Sequence, residues 1–211
     1  LYLDRNGEVV DKFRISHGNH SLQPTVVPLD DRRAVAMLRY AGEELHRVLA
    51  SRTEDGGQTW SKPVPLEPNN PNSSLAAIAA PGHGLLVALN DLKEGRFRLS
   101  LYGTDAQLQT WKPLLDLDRS PDPEGAPIDK AHYLQMVSEQ FLANNPAGDG
   151  RLEDLLISLD RRICKRGGCT PEYDYPYVIR GADGRYHLVY SWNHSVIKHV
   201  SFNDAWLEAQ L

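Results

Sequence analysis

Thr53-Glu-Asp-Gly-Gly-Gln-Thr-Trp60 is the stretch on which the fold turns. It has the form Thr-x-Asp-x-Gly-x-Thr-Trp, and the chemistry is that of a tight hairpin. The Asp55 carboxylate can accept backbone N–H bonds across the turn, and Gly57 can take a backbone conformation closed to other residues. A degenerate copy ends at Thr110-Trp111, with Thr104 kept and the glycine lost. The two tryptophans stand 51 residues apart, about the length of four short strands with their turns.

Working outward, strand signals dominate. Residues 25–29, 34–40 and 46–51 are short apolar segments bounded by Asp and Gly turns. Residues 75–79, 85–89 and 96–102 repeat the pattern, as do 177–179, 186–190 and 196–200 near the end. Such spacing predicts antiparallel meanders. Residues 119–170 differ. Leu134, Val137 and Phe141 share a helical face before Asn144-Asn-Pro146 stops the helix. Leu152, Leu155, Leu156, Leu159 and Ile163 make a second amphipathic stripe. A helical hairpin inserted between strands is expected there.

The chain is 211 residues long, 41% hydrophobic and 24% charged, as expected of an ordinary globular protein. Its net charge of −5 gives no reason to expect nucleic acid, and no apolar run is long enough to span a membrane. Cys164 and Cys169 can close a small disulfide loop, in which case an extracytoplasmic (periplasmic or secreted) compartment is favoured; two free thiols are the alternative. No further Cys or His pair lies at zinc spacing, and no phosphate loop or dinucleotide fingerprint occurs. Neither metal nor cofactor is expected.

The 53–60 motif resembles the Asp box of sialidases and related propellers, in which the tryptophan packs between neighbouring blades. Other blocks resemble the bacterial sialidase-like (exo-alpha-sialidase, neuraminidase-related) family more sharply. They are Gln23-Pro-Thr-Val-Val27, Asn70-Pro-Asn-Ser-Ser74 with Leu89-Asn-Asp91 and Gly95-Arg96, and Glu172-Tyr-Asp-Tyr-Pro176. Tyr190-Ser-Trp192 and Ile197-Lys-His-Val-Ser-Phe-Asn-Asp-Ala-Trp-Leu207 complete the set. The resemblance implies a mainly β protein, a β-propeller with the helical hairpin inserted. The parent would have six blades, with three to four here and the others supplied by a missing N-terminal part. Residues 1–118 would hold propeller blades, 119–170 the insertion and 171–211 the closing blade, all in one domain.

The resemblance also implies chemistry. Sialidases grip a sugar carboxylate with three arginines, whose forked guanidinium groups match it. A Tyr–Glu pair serves as nucleophile, and an Asp from an early blade, expected to lie outside this chain, serves as acid. Arg96 is the best arginine and Arg39 the second. Tyr173 and Tyr175 alternate with Asp174, so both are expected to point to one side of an extended segment. Alignment on Asp183-Gly184 puts Tyr173 near the nucleophile, whereas the branch this chain most resembles keeps the second tyrosine, Tyr175. Glu172 is adjacent. Asn72, Asn90 and Asp91 are expected to bond sugar hydroxyls. Where the family supplies arginine before Ile-Lys-His-Val, this chain has Asn193-His-Ser-Val196; either His194 stands in as a weaker, pH-dependent anion contact or the arginine grip is lost. The expected activity is retaining hydrolysis of a terminal acidic sugar, with a non-catalytic carbohydrate-binding or scaffold propeller as the alternative.

Overall fold

The computed structural model describes residues 2–16, 20–145 and 150–210. Strands β1 (Tyr2–Leu3) and β2 (Val9–Asp11) pair as a short ribbon. A first four-stranded sheet follows as the antiparallel meander β3 (Ser21–Pro28), β4 (Ala34–Tyr40), β5 (Arg47–Thr53) and β6 (Val64–Asn69). A second repeats it with β7 (Ala76–Ala80), β8 (Gly84–Leu89), β9 (Arg98–Thr104) and β10 (Trp111–Arg119). Helices α1 (Lys130–Asn144) and α2 (Leu152–Arg162) come next. A disulfide between Cys164 and Cys169 closes the small hairpin of β11 (Cys164–Lys165) and β12 (Gly168–Cys169), which decides between the two cysteine readings. A third, three-stranded sheet contains β13 (Tyr173–Arg180), β14 (Tyr186–Trp192) and β15 (Val196–Phe202). Helix α3 (Asp204–Gln210) ends the chain, its first turn held by Asn203 Oδ1 accepting from Trp206 N at 2.9 Å.

The second sheet is buried on both faces. This is why β8 reads as an unbroken apolar run. Leu85, Val87 and Leu89 pack on Val27, Val35, Met37 and Ala50 of the first sheet. Leu86, Ala88, Leu99 and Leu101 on the opposite face join Tyr186, Leu188 and Tyr190 of the third sheet. The helices enter the same core through Tyr133, Val137, Leu155 and Leu159, close to the stripes expected from sequence. Pro146, the expected helix stop, lies outside the described residues. The other face of the third sheet leaves Tyr177, Ile179 and Ile197 exposed.

Both hairpin motifs use the same bonds. Asp55 accepts from Thr59 N at 2.9 Å, and Trp60 Nε1 donates to the Gly57 carbonyl at 3.0 Å. In the second copy Asp105 accepts from Thr110 N at 2.7 Å, and Trp111 Nε1 donates to the Leu108 carbonyl at 3.1 Å. Leu108, at φ +59°, stands in the left-handed position that Gly57 fills at φ +92°. Arg52 ties the motifs together, donating to the carbonyls of Ala106 at 3.1 Å and Gln107 at 2.7 Å.

Candidate functional site

The inner strands β3, β7 and β13 lie side by side. Near their ends the loops bring several of the sequence candidates together. Asn72, in the loop before β7, takes a left-handed backbone (φ +56°), and its carbonyl accepts from Arg39 Nη1 at 3.3 Å and Arg96 Nη2 at 3.1 Å. The two arginines therefore converge on one backbone oxygen. Asn72 contributes here through its main chain, and its side chain is exposed.

Arg96 makes a second, stronger contact. Its Nη1 donates to Asp174 Oδ2 at 2.6 Å, and its guanidinium lies 5.7 Å from the Tyr175 ring centre. Burial disfavours the guanidinium charge, but bonds to Asp174 and Tyr175 outweigh it and raise the Arg96 pKa. Tyr173 N in turn donates to the Arg96 carbonyl at 2.8 Å, fixing β13 to this loop.

The two tyrosines do not share a side. A register shift between Asp174 and Tyr177, with Tyr175 at φ +51°, breaks the strand alternation. Such a bulge re-aims a side chain. Tyr173 is 4% exposed and turned into the core, whereas Tyr175 is 49% exposed. Burial, with Asp118 and Tyr133 nearby, pushes the Tyr173 phenol well above the ordinary tyrosine range. Ionising Tyr173 is therefore unfavourable, and of this pair Tyr175 is the one open to a ligand.

Glu172 and His194 meet across the β14–β15 turn. His194 Nε2 and Glu172 Oε2 are 2.6 Å apart. Asn193 and His194 both have positive φ (+53° and +52°), at the centre of a tight turn closed by Ser195 N donating to the Trp192 carbonyl at 3.1 Å. Asn193 N donates to the Glu172 carbonyl at 2.7 Å, Asn193 Oδ1 accepts from Glu172 N at 2.9 Å, and Arg162 of α2 donates to the His194 carbonyl at 2.5 Å. One donor atom each from Glu172, Asp174 and His194 falls within 4.8 Å of the others.

Asn90 and Asp91 both bond to neighbouring loops and strands, although Asn90 Oδ1 has no partner among the described residues. Asn90 is fully buried and donates to the carbonyls of Arg98 at 2.7 Å and Tyr173 at 2.8 Å. Asp91 accepts from Asn69 N at 2.8 Å and Tyr102 Oη at 2.8 Å. Sequence reasoning missed Asp118, at the end of β10. It accepts from Lys198 Nζ at 2.8 Å and from the buried Tyr190 hydroxyl. Burial first, then Asp118, raises the Tyr190 pKa.

The meandering sheets are similar in fold to the propellers of sialidases and other glycosidases. The chain is similar to a Hadza microbial sialidase (13% identity, TM-score 0.56), covering 91% of this chain and 29% of that one. It is also similar to a leech intramolecular trans-sialidase (14%, 0.52; 89% and 24%) and to an α-L-arabinofuranosidase from Fusarium graminearum (12%, 0.52; 88% and 47%). The chain thus spans less than half the length of each, and at these identities the likeness is one of fold. Among curated proteins none matches it. Residues 1–188 match the BNR repeat-like domain, and the chain belongs to that family. The match runs through the helical segment and ends at Leu188, short of the Tyr190–Leu207 block.

Proposed function

We propose that the loops near the ends of β3, β7 and β13 form a carbohydrate site, and that the parent protein is a sialidase-like glycoside hydrolase. The observation that carries this reading is Tyr175. A bulge presents it to solvent in a left-handed conformation, with its phenol beside the Arg96 guanidinium. Backbone strain of this kind persists only where the surroundings enforce it, and it clusters at ligand sites. In the proposed reaction Tyr175 attacks the anomeric carbon, the bond to the leaving oxygen breaks, and water then releases the sugar with retention. Arg96 stabilises the phenolate, Arg39 and Arg96 hold the acidic group of the sugar, and Glu172 takes the tyrosine proton. The acid that protonates the leaving group, and the blades completing a six-bladed parent, come from outside these 211 residues. The exposed apolar face of Tyr177, Ile179 and Ile197 supports a further blade there.

One observation favours the second reading, sugar binding without hydrolysis. Arg96 is already engaged by Asp174 at 2.6 Å, so a ligand carboxylate must compete for it. The carboxylates seen on tyrosine oxygens, Asp91 on Tyr102 and Asp118 on Tyr190, serve partly or fully buried scaffold phenols.

Turnover of a fluorogenic sialoside by the full-length protein separates the two. Tyr175→Phe is expected to lower kcat/KM by at least about a hundredfold, a loss of roughly 2.7 kcal/mol of transition-state stabilisation. Tyr173→Phe is expected to act mainly on stability. Absence of turnover by a folded wild-type protein that retains glycan binding would leave the second reading.

A further inference from the structure

We infer that Glu172, Asp174 and His194 form a site for one divalent first-row transition ion, with zinc as its representative. This goes beyond the glycosidase reading and does not rest on it; with the ion bound, Glu172 is a ligand and no longer free to take the Tyr175 proton, so the two assignments compete for that side chain. The donor atoms lie within 4.8 Å of one another, close enough for rotamer adjustment to bring them round one ion. Zinc bonds to imidazole nitrogen and carboxylate oxygen are about 2.0–2.2 Å long. The mixed set of one imidazole and two carboxylates suits zinc or manganese better than calcium or magnesium, which take oxygen alone.

A second observation points to a ligand independently of that clustering. Asp174 is 0% exposed, and among the described residues its Oδ1 finds no hydrogen-bond partner. A fully buried carboxylate oxygen without a partner is costly, and native structures rarely leave one so. The other oxygen, Oδ2, is held by Arg96 at 2.6 Å. A ligating carboxylate held through its second oxygen by an outer group is the usual arrangement around bound metals. Arg96 is then a positioning residue for the ligand.

The remaining two donors are aimed by main-chain bonds. Glu172 is fixed through both its backbone groups to Asn193, and His194 through its carbonyl to Arg162. The ion takes the place of the hydrogen bond between His194 Nε2 and Glu172 Oε2. Both of these side chains are partly exposed, so the sphere is open on the solvent side. Three protein ligands with an open position are what zinc shows where it meets a substrate, not where it only holds a fold. The open position faces solvent and suits a water or a sugar hydroxyl.

The test is zinc titration of the chelator-treated full-length protein, competed against a chromophoric chelator, in parallel with His194→Ala and Glu172→Gln. The wild type is expected to bind one equivalent of zinc that each variant lacks, and zinc is expected to raise the Tm of the wild type alone. Both replaced side chains are partly exposed, so the variants should stay folded, which circular dichroism checks. Asp174→Asn, which keeps an acceptor for Arg96, provides a third variant and is also expected to lose the equivalent. Undiminished zinc binding in His194→Ala, or none by the wild type at about 100 μM zinc, overturns the assignment. Calcium binding without zinc binding overturns the metal class. None of these readouts requires turnover, so failure of the metal site and failure of the glycosidase reading are separate results.

Discussion

Replacing Leu108 sets two known costs against each other. The side chain is 4% exposed and packs in the core between the first and second sheets, yet its backbone sits at φ +59°. A left-handed conformation costs a residue other than glycine about 1–2 kcal/mol. Deleting a buried leucine side chain costs about 2–5 kcal/mol. Leu108→Gly relieves the first cost and incurs the second, with a further loss of about 0.5–1 kcal/mol for glycine's freedom in the unfolded chain. The net expectation is destabilisation by about 0.5–5 kcal/mol, near 3 at the centre of these ranges, so burial wins over strain. Leu108→Ala loses nearly as much burial and keeps the strain, so it should be the least stable, below glycine by roughly 0.5–1 kcal/mol. That order, leucine above glycine above alanine, inverts the usual advantage of alanine over glycine. Urea unfolding followed by far-UV circular dichroism reads it from midpoints at constant m-value. A glycine variant as stable as wild type, or an alanine variant above glycine, refutes the reasoning.

Two further expectations follow from charge. Asp174→Ala strands the Arg96 guanidinium, and breaking a buried pair costs about 3–5 kcal/mol; the partial exposure of Arg96 puts the expected loss at the lower end. A double-mutant cycle of Asp174→Ala with Arg96→Met measures the coupling, and a coupling near zero would refute the pair's role. Asp55 and Asp30 are each held at about 2, below their ordinary 3.8, by bonds from Thr59 and from the Arg32 and Arg33 backbone respectively. The unfolded chain therefore binds protons first, and stability is full above about pH 4 and declines as pH falls towards 2. Asp55→Asn is expected to flatten that acid limb in pH-dependent urea midpoints, and an unchanged slope would count against the hairpin bonds.

The architecture was legible where local chemistry and packing agree. The Thr53–Trp60 motif, its copy and the strands between them emerged because tight hairpins need particular residues. Strands β6 and β10 were harder to read. Pro65, Pro68 and Pro113 remove ladder donors, and the structure places these strands at sheet edges, where that loss is tolerated. Helix α3 was missed although Asn203 caps it, because seven residues give little periodicity. At the site, Arg96 was readable from a family block and Arg39 from the end of an apolar strand run, and the structure brings both to the Asn72 carbonyl. The split between Tyr173 and Tyr175 was not readable, because period-two alternation fails at a bulge and nothing in Tyr-Asp-Tyr-Pro announces one. Glu172, Asp174 and His194 do not show a metal-ligand spacing because the third donor is contributed by a different turn, brought in by strand pairing between Tyr173 and Trp192.

The charge at these loops bears on the kind of sugar they would take. Arg39 and Arg96 are matched by Glu172 and Asp174, so with His194 neutral the group carries no net charge. An acidic sugar approaching it gains less than it would from arginines facing no carboxylate, because its own carboxylate and Asp174 share one guanidinium. Asp174 holds that position from full burial, where it has no water to return to. The ligand that gains most is therefore one that leaves the Arg96–Asp174 pair intact. Neutral glycosides are the informative comparison for any sialoside assay: turnover of a neutral glycoside without turnover of a sialoside would overturn the acidic-sugar part of the proposal.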